Sequence, residues 1–221
     1  MTPDTASVAC DGWDGSECEG TPHCPPRCPR FVDKEGARWT IRPAVAADEP
    51  FLAEMYEGFD RADRAQGLPP VSRRRRADWI ETMLEDGHDV VAERNGELYG
   101  HAMYTPTAAD TPELAVFVHP DAQDRGVGTE LCRHVIAAAA AAGREALELH
   151  VETGNRAARS VYGTVGFEVV ERRGDLLMRL DLDEPVATEV RWPPLAREGP
   201  TESLLERPSA ASGPGRSPAD D

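Results

Sequence analysis

The chain reads as an α/β protein in which strand-like and helix-like segments alternate. Three observations predict this. Residues 113–128, ELAVFVHPDAQDRGVG, run from a short apolar strand through a Pro-Asp turn into two glycines that open an alanine-rich helix. Asn95-Gly96 separates two β-like runs, and Asn-Gly in that setting is the strongest short hairpin signal. Leu147, Leu149 and Val151 alternate with Glu148, His150 and Glu152, the period of a strand.

The elements follow in order. Trp39 to Arg42 form a short strand. A helix over 48–60 places Phe51, Leu52, Met55 and Phe59 on one face. Gly67-Leu68-Pro69-Pro70 breaks the chain, and a second helix over 72–85 buries Trp79, Ile80, Met83 and Leu84. Residues 89–94 and 97–104 make the hairpin. A strand over 113–119 leads into a helix over 127–142, ended by Gly143. After the alternating strand, Asn155 caps a short helix that turns Ala158, Val161 and Val165 inward, with Gly166 just past its end. Residues 167–172 and 176–182 close the fold as an antiparallel pair. From Glu184 onward Pro, Ser and Gly supply 14 of 38 residues. So few apolar groups cannot offset ordering entropy, and residues 184–221 are expected to be a disordered tail.

The richest chemistry lies at the glycines. Glycine accepts positive φ without a Cβ penalty, so Gly126 and Gly128 let the backbone curl at a helix N-terminus. Stacked amides there form a concave anion site suited to a pyrophosphate. Gln123, Gly126 and Gly128 match the pattern Q/R-x-x-G-x-G/A. Downstream, Asn155, Tyr162 seven residues on, and Gly166-Phe167 match a second motif. Together they resemble the GNAT superfamily of acyl-CoA-dependent N-acetyltransferases over residues 39–183.

The resemblance implies the GNAT fold, a mixed α+β architecture with a twisted sheet of six or seven strands flanked by about four helices. It implies acetyl-CoA as co-substrate and direct transfer of its acetyl group to a primary amine, of a protein or a small molecule, in a ternary complex. Amides of Gln123, Asp124, Arg125, Gly126, Val127, Gly128 and Thr129 are then expected on the pyrophosphate. The backbone of Val116, Phe117 and Val118 is expected on the pantetheine arm, one amide polarising the carbonyl, and Asn155 near the thioester. Tyr162 occupies the position of the family's general acid, aimed at the CoA sulfur; the alternative is a ring packed under the sheet. Two residues match positions where family members carry a base: His150, five before Asn155 where several members have Glu, and Glu113, ten before Gln123. An imidazole with a pKa of about 6.5 is able to deprotonate an ammonium directly or through water. The bland alternatives are a polar strand residue and a solvated strand end.

Residues 1–38 form a Cys-rich extension outside the family pattern. Cys10, Cys18, Cys24 and Cys28 fall within 19 residues, His23 lies beside Cys24, and the segment has few apolar residues of its own. Four thiols in a chain without a visible export signal favour structural Zn²⁺ over disulfides, with disorder and redox sensing as alternatives. Cys132 reads as a small buried hydrophobe.

Acidic residues outnumber basic ones 40 to 24, a net charge of −16, and Lys34 is the one lysine. That balance disfavours nucleic acid and anionic membranes as partners and suits an acidic surface adapted to salt. The run Arg73 to Arg76 stands at a helix start, where a paired or solvated face competes with recognition of an acidic acceptor or a phosphate. No apolar run is long enough to span a bilayer, so a cytoplasmic monomer or homodimer is expected. Two further readings stay open: a non-catalytic acyl-CoA-sensing module, and a metal- or redox-responsive binding module on the same fold.

Overall fold

The structure, a computed structural model, describes residues 23, 26–60, 68–184, 187 and 190. Its strands are β1 (Arg30–Val32), β2 (Arg38–Pro43), β3 (His88–Arg94), β4 (Glu97–Thr105), β5 (Glu113–Val118), β6 (Ala146–Val151), β7 (Glu168–Arg173) and β8 (Asp175–Asp181). The described helices are α1 (Glu49–Glu57), α2 (Arg73–Asp86), α3 (Val127–Ala141) and α4 (Arg156–Thr164), with short 3₁₀ turns at Ala46–Asp48 and Pro120–Ala122. None is long and apolar enough to cross a membrane.

One eight-stranded sheet runs in the order β1-β2-β3-β4-β5-β6-β8-β7. Neighbours are antiparallel except β5 and β6. The expected hairpin forms as β3–β4, with Asn95 at φ 56° and Gly96 at φ 84°, the left-handed pair that a twisted two-residue turn requires. Between Ala92 and Glu93 the register shifts, so β4 spends one extra residue opposite that step. The bulge reverses the alternation: Tyr99 packs toward one face of the sheet while Leu98 joins the core of the other.

Each face buries its own core. On one, α3 presents Leu131, Cys132, Val135, Ile136 and Ala139 at helical spacing against Leu114, Leu147, Leu149 and Leu176. On the other, Leu52, Met55, Tyr56 and Phe59 of the α1 segment and Ile80 of α2 cover Val91, Met103 and Phe117. Burying one such side chain contributes about 1.5–3 kcal/mol. The face expected for the first helix needs one correction. Phe51 is 49% exposed, and Tyr56, one turn after Leu52, takes its place in the core. Of the second helix, Ile80 is fully buried while Trp79, Met83 and Leu84 are half-buried at its rim.

The sheet has eight strands, one more than the upper expectation, because residues 30–32 pair with 38–40. Chain assigned to an extension therefore completes the sheet edge. Arg27 is buried on α3, where its guanidinium holds Glu130 at 2.6–2.7 Å and donates to the carbonyl of Val190. Ala187 and Val190, assigned to the tail, are buried in the same core. The rest of residues 191–221 lies outside the described residues.

Candidate active site

β5 and β6 set the geometry. Their pairing consists of one register, Glu113 opposite Glu148, with Glu148 N donating to Pro112 O at 3.1 Å. Beyond it the two strands carry no further pairing as they run toward Val118 and Val151. A parallel pair that stops this early leaves a slot, and backbone groups on the β6 side of β5 lack a strand partner among the described residues. Leu114, Val116 and Val118 belong to the α3 side of the sheet. Ala115 and Phe117 belong to the α1–α2 side, where Phe117 meets Tyr56 and Trp79 edge-on at 5.6 Å.

The turn at the end of β5 enters α3 through two left-handed residues, Asp124 at φ 58° and Gly126 at φ 94°. The curl was expected to use both glycines. Gly128 is instead part of α3's first turn without positive φ, and a Cβ there would come 3.4 Å from Val118 Cγ2. Its role is closeness to β5. Gly126 is the N-cap and no side chain caps it. Glu130 of the first turn points inward to Arg27, so the amides of Val127, Gly128 and Thr129 have no side-chain acceptor among the described residues. Such a cradle fits a pyrophosphate. Gln123 is tied back by a bond from Nε2 to Val118 O at 3.2 Å. Arg125 turns away from the cradle: its Nε donates to Asp33 Oδ2 at 2.7 Å and its other nitrogen meets Glu35 at 2.8 Å.

Asn155 caps α4 as expected, its Oδ1 accepting from Ala158 N at 3.0 Å. Tyr162 on that helix is buried in the α3-side core, its ring 6.0 Å from Phe167. Burial, reinforced by Cys132, raises the phenol's pKa. The Cys132 thiol is fully buried and pushed up to about 12 by burial, which makes it the inert hydrophobe expected. Glu113 and His150 come together: His150 Nδ1 lies 3.3 Å from Glu113 Oε1 on the sheet face opposite Tyr162, and both side chains are about half exposed. Next to them Glu148 is held by Arg179 at 2.9 Å, and Arg179 also binds Asp181.

The sequence reading missed one buried polar chain. The Tyr56 hydroxyl lies 2.7 Å from His101 Nδ1, and His101 Nε2 lies 2.7 Å from Asp89 Oδ1. The tautomer that donates from Nε2 to Asp89 leaves Nδ1 to accept from the Tyr56 hydroxyl. Burial and the nearby Asp89 charge raise the Tyr56 pKa. The signal was available in the hairpin: its register pairs Val91 with His101, which makes Asp89 a diagonal neighbour. Of the arginine run, Arg76 is buried on Glu57 at 3.3 Å and Arg73 reaches the same carboxylate, so half of it is a paired face. Cys10, Cys18 and Cys24 of the suggested zinc site lie outside the described residues. Cys28 is buried, and no group of three or more metal-ligating side chains occurs among the described residues.

The family profile described as "Acetyltransferase (GNAT) family" matches residues 52–167, more than half of the chain. The chain belongs to this family. As a GNAT protein it is an acyltransferase, and its relatives include named N-acetyl- and N-acyltransferases. It is 27% identical over 138 residues to the L-methionine sulfoximine/L-methionine sulfone acetyltransferase of Pseudomonas aeruginosa, covering 59% of this chain and 80% of the relative. It is 28% identical to the L-amino acid N-acyltransferase MnaT of Escherichia coli, over 66% of this chain and 95% of the relative. Among solved structures, yncA from Salmonella typhimurium with its cofactor acetyl-CoA superimposes with a TM-score of 0.55 at 28% identity, covering 66% of this chain and 95% of that one. The GNAT domain of S. lividans PAT matches with a TM-score of 0.63 at 23% identity, over 69% and 96%. The GNAT fold expected from the motifs is the fold observed.

Proposed function

We propose that the protein transfers an acetyl group from acetyl-CoA to the amine of a small, amino-acid-like acceptor, by direct attack with both substrates bound. The carrying observation is the slot between β5 and β6. At one end lies the uncapped Gly126–Thr129 turn; beside its vertex lie Glu113 and His150 on one face of the sheet, and Tyr162 belongs to the core of the other face. The names of the amino-acid-directed relatives support the acceptor class.

Acetyl-CoA supplies the activated acyl group as a thioester. The amides of residues 123–129 bind its pyrophosphate, and the backbone of Val116 to Val118 takes the pantetheine arm as an added strand, one amide polarising the carbonyl. Asn155 spends Oδ1 on the helix cap and keeps its NH₂ for the thioester end. With Nδ1 turned to Glu113, His150 Nε2 is the lone pair that takes the ammonium proton. Tyr162, its pKa raised, stays protonated through neutral pH and donates to the departing thiolate. Holding amine and thioester in contact supplies most of the remaining acceleration.

Thiol release from acetyl-CoA, measured across L-amino acids, methionine sulfone, polyamines and short peptides, tests the reading. Release should depend on the amine and favour the amino-acid class. Tyr162→Phe should leave acetyl-CoA affinity unchanged and lower turnover by roughly 10- to 100-fold. Tight acetyl-CoA binding without thiol release for any amine would make the protein an acyl-CoA sensor instead.

A further inference from the structure

We infer that Lys34, in the turn between β1 and β2, is a phosphate ligand for the acyl-CoA, brought to the glycine turn by a hairpin outside the family-matched segment; this rests on the acetyl-CoA reading above. The turn is fastened to the cofactor loop on both sides. Lys34 N donates to Arg125 O at 3.1 Å, and the Asp33 carboxylate binds Arg125 Nε at 2.7 Å. The same carboxylate accepts from Trp39 Nε1 and from the amides of Glu35 and Ala37, which fixes the turn's conformation. Lys34 then lies across Gly126. A Cβ built on Gly126 would meet Phe31 at 3.6 Å and the Lys34 side chain at 3.9–4.0 Å.

Charge makes the placement meaningful. The loop's own cation, Arg125, is consumed by Asp33 and Glu35, while Asp121 and Asp124 leave the loop acidic. The chain as a whole carries −16. A phosphate approaching that turn therefore needs a cation from elsewhere. Lys34 is exposed and takes part in no ion pair among the described residues. It is also the sole lysine in a chain that otherwise uses arginine. A flexible stem ending in a point charge suits a phosphate that lies beside a glycine turn, where a rigid guanidinium fork needs more room.

Calorimetric titration of the full chain with CoA, 3′-dephospho-CoA and pantetheine decides it. Lys34→Ala should weaken CoA about three- to tenfold and flatten its salt dependence, while Lys34→Arg, which restores the charge but not the slim stem, recovers only part of the loss. Pantetheine, which lacks phosphate, should bind wild type and Lys34→Ala alike. A loss that persists with 3′-dephospho-CoA assigns the contact to the pyrophosphate; a loss that vanishes assigns it to the 3′-phosphate. Equal CoA affinity in Lys34→Ala, or an equal loss with pantetheine, would overturn the inference. Failure of wild type to bind CoA at all would instead overturn the acetyl-CoA reading.

Discussion

Glu113 and His150 were two competing readings of the sequence, and the fold makes them neighbours 3.3 Å apart. Sequence could name both because each stands at a motif-defined offset. It could not show that the single β5–β6 register brings them side by side. The juxtaposition separates their roles: a carboxylate that orients an imidazole differs from one that takes the proton itself. With His150 as the base, His150→Ala should abolish the acidic limb of the kcat/KM profile. Glu113→Ala should keep that limb and lower the rate modestly, because it removes only the group that orients the ring. A missing limb in Glu113→Ala with a normal limb in His150→Ala would exchange the assignments. Tyr56 escaped detection for a different reason, since a tyrosine on an apolar face carries no sequence mark of the histidine it will meet.

At the scale of elements, the helices, the β3–β4 hairpin and the closing antiparallel pair were legible because periodicity and turn chemistry agreed there. The edge strand β1 was not. Three residues, Arg30 to Val32, have no periodicity to read, and what orders them is remote: Arg27 on Glu130, and Asp33 on Arg125. The cysteine spacing favours metal, with disorder and redox sensing as alternatives; in the described part of this segment a buried ion pair and a pinned turn supply order. Replacing Arg27 leaves buried Glu130 only its longer contacts with Arg133 and His134 at 3.5 and 3.7 Å, and replacing Glu130 takes the carboxylate from the buried Arg27 guanidinium. Arg27→Ala or Glu130→Ala should each lower unfolding free energy by about 3–5 kcal/mol in urea titration. Exchanging both residues for methionine should cost far less, because no buried charge then remains. Comparable losses in the single and double variants would show that the pair adds only packing.

For the whole molecule, acid should reach stability through the hairpin. Burial opposes ionisation of Asp33, yet hydrogen bonds from Arg125, Trp39 and two backbone amides prevail and hold its pKa at about 2 instead of 3.8. The unfolded chain therefore binds the extra proton between those values. The contribution of Asp33 is fully present above about pH 5, declines as pH falls through 4 and then 2, and is gone only below about pH 1. The stability difference between wild type and Asp33→Asn should follow that course, and a difference independent of pH would assign the effect to lost geometry. A strongly negative net charge adds self-repulsion at neutral pH that salt relieves, so molar salt should stabilise the protein there. Arg27 has one more consequence, and it is kinetic. Its partners lie 103 and 163 residues away along the chain, so closing that clasp must wait for nearly everything between. Contacts made after the folding barrier act on the exit from the native state. In a chevron analysis, Arg27→Ala should leave the refolding arm in place and raise the unfolding arm, making the contact of Arg27 with Glu130 and Val190 the latch that sets its native lifetime.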